Sequence, residues 1–332
     1  MCTSPSTSSS STRGWRSWRR DSTTSTTLRR GHGPPCDGER GRCDMPTTTI
    51  TTDETASTDG ALGHILLHGD ELLRAESPDP QYDRPRELSR YLLMHYGSFE
   101  DTFERPDHPL AGAYGYAHRL SEALRAAAEL TGCRVRDALD VGCNVGGVSH
   151  ELARWVEDSV VGVDLSPRAV EVARRVTDAG GGSFSVVKGA GTRTVRFRLP
   201  DRRERAELRF ETGDGEALAG RPGGYDAVLV SNILDRVADP AACLAQFHDS
   251  ERILRAGGLL VIACPWSWYP EYTDPAAWFG ADRPDHSSEH ALKAALRDRF
   301  TLVAESEQAG VLCQNPREYD YFESHVTIWQ HR

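Results

Sequence analysis

Two short stretches carry residue types and spacings suited to holding a nucleoside-like ligand. The first is Asp140-Val141-Gly142-Cys143-Asn144-Val145-Gly146-Gly147. The apolar run Val135 to Val141, interrupted by Arg136, Asp137 and Asp140, predicts a buried strand. Val148 to Glu157 predicts a helix, with Leu152 and Val156 at helical spacing. Between them, Gly142 and Gly146 allow a sharp turn and close approach of a ligand to the backbone. The free amides that open the helix point at that ligand. The second stretch is Ser159-Val160-Val161-Gly162-Val163-Asp164-Leu165, an apolar run with an acid near its end. An acid about 20 residues beyond the glycines, at the tip of the next strand, accepts hydrogen bonds from ribose hydroxyls. Such charge-assisted bonds contribute roughly 1.5–3 kcal/mol. Capping the helix that starts at Ser166-Pro167 is an alternative task for Asp164, and the two are compatible.

The glycine spacing discriminates between ligands. Dinucleotide sites use G-x-G-x-x-G, whereas this chain has Asp140-x-Gly142-x-x-x-Gly146 and Asn144 where the second glycine would stand. The pattern resembles the first motif of class I S-adenosylmethionine (SAM) methyltransferases. SAM has no pyrophosphate, so the second close-approach glycine is not required. The resemblance implies that Asp140, Gly142, Cys143 and Gly146 form the cradle, and that Asp164 and Leu165 meet the ribose. It implies that Asp214 and Gly215 meet the adenine and that Ser231 closes the site.

The elements that position these residues follow from periodicity. Ala61 to Leu73 is weakly amphipathic and is broken by Ser77-Pro78-Asp79-Pro80. Tyr82 to Gly97 predicts a helix with Leu88, Tyr91, Leu92 and His95 on one face. A second helix is expected from Tyr116 to about Leu130, and the pair is expected to cap the ligand mouth. After Asp164 comes a helix, Pro167 to Thr177, and then an insertion opened by Gly180-Gly181-Gly182. Ser183–Lys188, Thr192–Leu199 and Ala206–Glu211 alternate β-branched and polar residues, which predicts an antiparallel ribbon. Its arginines (Arg193, Arg196, Arg198, Arg202, Arg203 and Arg205) read as a solvated face. Tyr225 to Asn232 predicts the next strand, and a helix is expected to run on to Arg255, capped by Ala256-Gly257-Gly258. Leu259–Ala263 is another buried strand, followed by the aromatic loop Pro265-Trp266-Ser267-Trp268-Tyr269-Pro270. A helix over Glu289–Arg299 and strands over Phe300–Glu307 and Phe322–Trp329 complete the chain.

The alternation predicts an α/β fold: a Rossmann-like, doubly wound sheet of class I methyltransferase type, with an N-terminal helical cap and a β-ribbon insertion. The expected organisation is a disordered tail over 1–60, a cap over 61–131, and a SAM-binding domain over 132–331 with its insertion at about 180–210. Met45 is an alternative start. Arg19-Arg20 and Arg29-Arg30 are not followed by the apolar stretch of an export signal. The net charge of −10 argues against a broad nucleic-acid surface. No apolar run is long enough to span a membrane, so a cytoplasmic location is expected. Eight scattered cysteines without a Cys-x-x-Cys pair read as reduced thiols, so no metal is implied. Cys36 and Cys43 fall in the tail.

From Tyr82 onward the chain resembles a narrower family, the ovothiol-pathway methyltransferases that N-methylate the imidazole of 5-thiohistidine (4-mercaptohistidine). The residues carrying the resemblance include Tyr91-Leu92-Leu93-Met94-His95-Tyr96-Gly97 and Asn232-Ile233-Leu234-Asp235-Arg236-Val237. Pro265-Trp266-Ser267-Trp268, Trp278-Phe279-Gly280 and His325-Val326-Thr327-Ile328-Trp329 complete them. The resemblance implies SAM as cofactor, a small thiohistidine-like acceptor or its selenium congener, and an upstream enzyme supplying it. Nucleic-acid amino-methyltransferases carry an Asn/Asp-Pro-Pro-aromatic motif after the fourth strand, and Ser231-Asn232-Ile233-Leu234 has no such prolines.

The residues suit an amino-acid acceptor. Asp235 and Arg236 would hold its ammonium and carboxylate, Arg with a bidentate fork; a capping Asp beside a surface Arg is the alternative. His95 and Tyr96 would orient the ring or accept its proton, beside Asn232, or would simply pack. Trp266, Trp268 and Tyr269 would wall the ring and attract the sulfonium by cation–π contact. Competing readings are a methyltransferase for another amino-acid-like natural product, a SAM-binding protein without turnover, and a nicotinamide oxidoreductase.

Overall fold

The computed structural model describes residues 63–74, 80–200, 206–218, 224–248, 253–283 and 287–332. The expected tail, Met45, Cys36, Cys43, Ser77 to Asp79, Arg202, Arg203 and Arg205 lie outside the described residues. The described chain opens with β1 (Ile65–Leu67), α1 (Gly69–Leu72), α2 (Pro85–Tyr96), α3 (Phe99–Thr102) and α4 (Tyr116–Thr131). Next come β2 (Asp137–Val141), α5 (Gly147–Leu152), β3 (Ser159–Asp164) and α6 (Pro167–Ala179). The insertion follows as β4 (Gly181–Lys188) and β5 (Gly191–Arg198), then β6 (Glu207–Thr212), β7 (Tyr225–Ser231) and α7 (Pro240–His248). The chain finishes with β8 (Leu254–Cys264), α8 (Ser288–Leu296), β9 (Phe300–Asn315) and β10 (Glu318–His331).

Seven strands form one sheet in the order β6-β3-β2-β7-β8-β10-β9. The first five run parallel, and β10 is antiparallel to both of its neighbours. Strand alternation divides the core between the two faces of the sheet. Leu139, Val141, Val228 and Ile262 pack with α7 and α8 through Leu244, Phe247, Leu292 and Leu296. Ala138, Leu229, Val261 and Ile328 pack on the other face with Leu120 and Leu124 of α4 and Leu152 of α5.

Five expectations change. The helix over residues 116–131 is a layer of the sandwich rather than a cap, because its apolar stripe is buried on the sheet. The third ribbon segment, Glu207–Thr212, leaves the ribbon and pairs parallel with β3 at the sheet edge. β4 and β5 do pair antiparallel, and β1 joins β4 to give a separate three-stranded sheet. Gly257 and Gly258 lie inside β8 and cap nothing; Gly258 is pressed against the Asp226 carbonyl, where a Cβ would come within 2.9 Å. The helix after the glycine turn stops at Leu152, short of the predicted Glu157. Arg193 is not a purely solvated ribbon residue, since it donates to Asp101 at 3.0 Å, while Arg196 and Arg198 are exposed.

Candidate cofactor and acceptor site

The loop after β2 is shaped by backbone sterics. Gly142, Asn144 and Gly146 all have positive φ, +81°, +47° and +87°, a region glycine enters freely and asparagine tolerates. The amides of Gly142 and Cys143 both donate to the Val163 carbonyl, at 2.8 and 3.0 Å. The glycines also make room for neighbouring side chains. A Cβ on Gly142 would strike Ile233, and one on Gly146 would lie 2.7 Å from the Phe210 ring. The need for glycine here is therefore met from within the protein as well as by any ligand. Asp140 is 1% exposed and accepts from Ser149 Oγ at 2.6 Å. Burial pushes its pKa up to about 7. It thus lies beneath the loop, tied to α5.

Asp164 ends β3 with both carboxylate oxygens engaged. Oδ2 accepts from the Asn144 amide and Oδ1 from the Ser166 amide, each at 2.8 Å. Each oxygen keeps a further acceptor lone pair. Burial raises the pKa of this carboxyl, and the two amides oppose that rise. The capping task falls to Ser166, the N-cap of α6 through its bond from the Ala169 amide, while Asp164 accepts from the Ser166 amide just before that helix. Leu165 is 71% exposed, an apolar side chain open beside this acid. Gly213 donates to the Asp164 carbonyl at 2.9 Å, bringing the β6 loop alongside. In that loop Asp214 accepts from the Glu216 amide at 2.8 Å. Gly215 packs against Ile233 and Val141. Ile233 thereby joins the ends of β2, β6 and β7.

On the acceptor side, Ser231 ends β7 and Asn232 follows at φ +56°. Asn232 is held by Tyr116 of α4, whose hydroxyl lies 3.0 Å from Nδ2, and by Ser324 of β10, whose Oγ lies 2.7 Å from Oδ1. Asp235 is fully buried (0%), so it does not present a carboxylate to a substrate ammonium as expected. Its Oδ2 accepts from the Ser267 amide and hydroxyl at 2.9 and 3.1 Å and pairs with Arg236 at 2.9 Å. Arg236 donates to the Ser267 carbonyl at 2.6 Å and its Oγ at 2.9 Å. Its guanidinium sits 4.5 Å from the Tyr269 ring centre and 5.7 Å from that of Tyr272. Trp266 stands at φ +53°. Trp268 stacks on Trp278 and donates to Ser288.

His95 and Tyr96 do not serve the acceptor as expected. His95 Nδ1 accepts from the Gly147 amide at 2.9 Å. The Tyr96 hydroxyl donates to the Val145 carbonyl at 2.6 Å, and its ring stacks on Phe197. Both residues therefore brace the glycine loop from α2. Desolvation lowers the His95 pKa to about 4, so the ring is neutral at pH 7 and carries its proton on Nε2.

Residues 139–262 match a sequence family described as a methyltransferase domain. Over these residues the chain is similar to a methyltransferase domain. The strand order, with one antiparallel strand inserted next to the last, agrees with that assignment. The first curated relatives align with less than half of this chain. An uncharacterized transposon protein of Streptomyces fradiae is 34% identical over 130 residues, 39% of this chain and 30% of the relative. A ubiquinone biosynthesis O-methyltransferase of Cereibacter sphaeroides is 31% identical over 123 residues, 37% and 38% of the two chains. The chain thus spans about a third of the length of these relatives. Among solved structures, the N-methyltransferase NodS of Bradyrhizobium japonicum with S-adenosyl-L-homocysteine aligns at 15% identity and a TM-score of 0.41. The alignment covers 72% of this chain and 98% of that one.

The methyltransferase domain fits SAM in the chemistry of its donors and acceptors. Asp164 offers acceptor capacity at the tip of β3, and the strained turn from Gly142 to Gly146 opens beside it. Three residues that matter here were not singled out from the sequence. Tyr116 fixes Asn232, and its only local signal is an aromatic at a helix start. Ile233 wedges between two glycine-bearing loops. Tyr82, beside Arg236, has its pKa pushed up to about 12, by burial first and then by Tyr272. The turn that carries it is pinned at both ends: Gln81 accepts from the Tyr272 hydroxyl at 2.9 Å, and Asp83 accepts from Ser166. No helix among the described residues is long and apolar enough to cross a membrane.

Proposed function

We propose that the chain is a SAM-dependent N-methyltransferase acting on the imidazole ring of 5-thiohistidine or a close analogue. The observation that supports this reading is the fixed guanidinium of Arg236 at the carboxyl ends of β7 and β8. Asp235, Ser267 and Tyr269 hold it in place, yet its side chain keeps 19% exposure. A cation held this way suits the carboxylate of an amino acid. The aromatic loop beside it, Trp266 to Tyr269, suits the ring. SAM, when bound, supplies an activated sulfonium methyl. The protein's part is to hold an acceptor nitrogen in line with that methyl, and alignment of this kind contributes roughly 7–11 kcal/mol. Asn232, locked by Tyr116 and Ser324, orients the acceptor without exchanging protons. An enzyme that installs sulfur on histidine would supply the substrate.

A second reading, O-methylation of a small phenol, draws support from the ubiquinone-pathway relatives. Incubation with SAM and either 5-thiohistidine or a catechol, followed by mass spectrometry, separates the two. A singly methylated thiohistidine is expected. Methylation of the catechol alone would reject the thiohistidine reading.

A further inference from the structure

With His95 and Tyr96 committed to the glycine loop, the acceptor's proton needs another destination. Strand β10 provides a candidate. Ser324 faces α4 and holds Asn232; the next residue, His325, faces the opposite side of the sheet, toward the aromatic loop. His325 pairs in register with Cys264, the last residue of β8, which puts it level with the strand ends where ligands of such sheets sit. It is 4% exposed. Its Nε2 lies 2.8 Å from Glu305 Oε1 on β9. Its Nδ1 is buried and has no hydrogen-bond partner among the described residues. The Trp266 ring centre is 6.2 Å from the imidazole, and Trp266 Nε1 is also buried without a partner among the described residues. Trp266 is a bulky residue at positive φ, a strained conformation of the kind that gathers at functional sites.

We propose that His325, oriented by Glu305, is the base that takes the proton the acceptor releases on methylation. This rests on the thiohistidine reading above. A carboxylate on Nε2 fixes the proton there and leaves the Nδ1 lone pair free. In the step, a lone pair on the acceptor ring nitrogen forms the new N–CH3 bond. The methyl–sulfur bond breaks and its electron pair returns to sulfur, leaving S-adenosylhomocysteine. The proton on the other ring nitrogen passes to His325 Nδ1, giving an imidazolium paired with Glu305. An acceptor reaching Nδ1 stacks on or displaces the Trp266 indole. The charged and titratable groups around His325 are Glu305 and Glu307 on β9, Glu289 and Lys293 on α8, and Cys264 on β8. Lys293 and His325 bond Glu305 and hold its carboxyl below the usual range, so it stays ionised as the partner of Nε2.

The test compares His325→Gln and Glu305→Gln with the unaltered full-length protein. For His325→Gln, kcat should fall about 100- to 10,000-fold, with SAM affinity and melting temperature unchanged. The acidic limb of the kcat–pH profile should vanish. Glu305→Gln should lower kcat and move that limb to lower pH, and this partly exposed carboxylate decides the matter if His325→Gln does not fold. In 15N-labelled protein, the His325 Nδ1 resonance should shift when 5-thiohistidine and S-adenosylhomocysteine are added together. Unchanged kcat and acidic limb in a folded variant, or a resonance unmoved by thiohistidine that is nevertheless turned over, would overturn the proposal. If only a phenol is methylated, the function reading fails, and the same variants assayed on that phenol still report on His325.

Discussion

Replacing Arg236 with methionine removes the charge partner of a carboxylate that has no exposed surface. Asp235 is 0% exposed, and its Oδ2 lies 2.9 Å from the Arg236 guanidinium. The two bonds from Ser267 to Oδ2 survive the change, while Oδ1 already lacks a partner among the described residues. Methionine keeps much of the length that packs against Tyr269, so the loss is chiefly electrostatic. Removing one partner of a buried ion pair costs about 3–5 kcal/mol. The retained Ser267 bonds favour the lower end, about 3 kcal/mol by the same rule. Urea denaturation measures this directly. A second substitution provides the control, because Asp235→Asn removes the stranded charge. The double variant should therefore be more stable than Arg236→Met alone, whereas independent residues would add their losses. A loss under about 1 kcal/mol, well below that expected for a broken buried pair, would refute the reasoning if Asp235→Asn also brought no recovery. The pair would then act as an ordinary solvated contact.

Asp164→Asn should weaken SAM binding about tenfold or more, the equivalent of one charge-assisted bond of roughly 1.5–3 kcal/mol. Calorimetry reads this, and thiohistidine KM at saturating SAM should barely move. Two buried groups give opposite pH dependences. The Asp140 pKa is raised to about 7 in the folded protein. The folded state then binds the extra proton, so this contribution to stability is full below pH 4 and is lost as pH rises toward 7. His95, lowered to about 4, contributes stability above its usual value near 6.5 that is lost as pH falls toward 4. Urea midpoints of Asp140→Asn and His95→Gln, each referred to the parent protein across pH 4–8, should drift in opposite directions. Curves that drift the same way would contradict one of the two assignments.

Local sequence determined the frame of the cofactor side. Strand β3 spans the Ser159–Asp164 run read from the chain, because a strand buried on both faces needs an unbroken apolar run bounded by turn residues. The Asp140 to Gly146 turn was legible for a similar reason: positive φ favours glycine or asparagine, which stand at its three positive-φ positions. Tertiary structure decided which partners those elements meet. Periodicity reports which face of a segment is buried but not what covers it, so β6 read as ribbon although it pairs with β3. His95 and Tyr96 read as acceptor groups, yet the Gly147 amide and the Val145 carbonyl, both distant in sequence, claim them. Asp235 and Arg236 read as two free prongs, until Ser267 of another loop closed on both. Glu305 and His325 lie 20 positions apart, and only the register of the β9–β10 hairpin joins them into a pair. Backbone sterics and burial are written residue by residue, whereas pairing across the sheet depends on where distant segments come to rest.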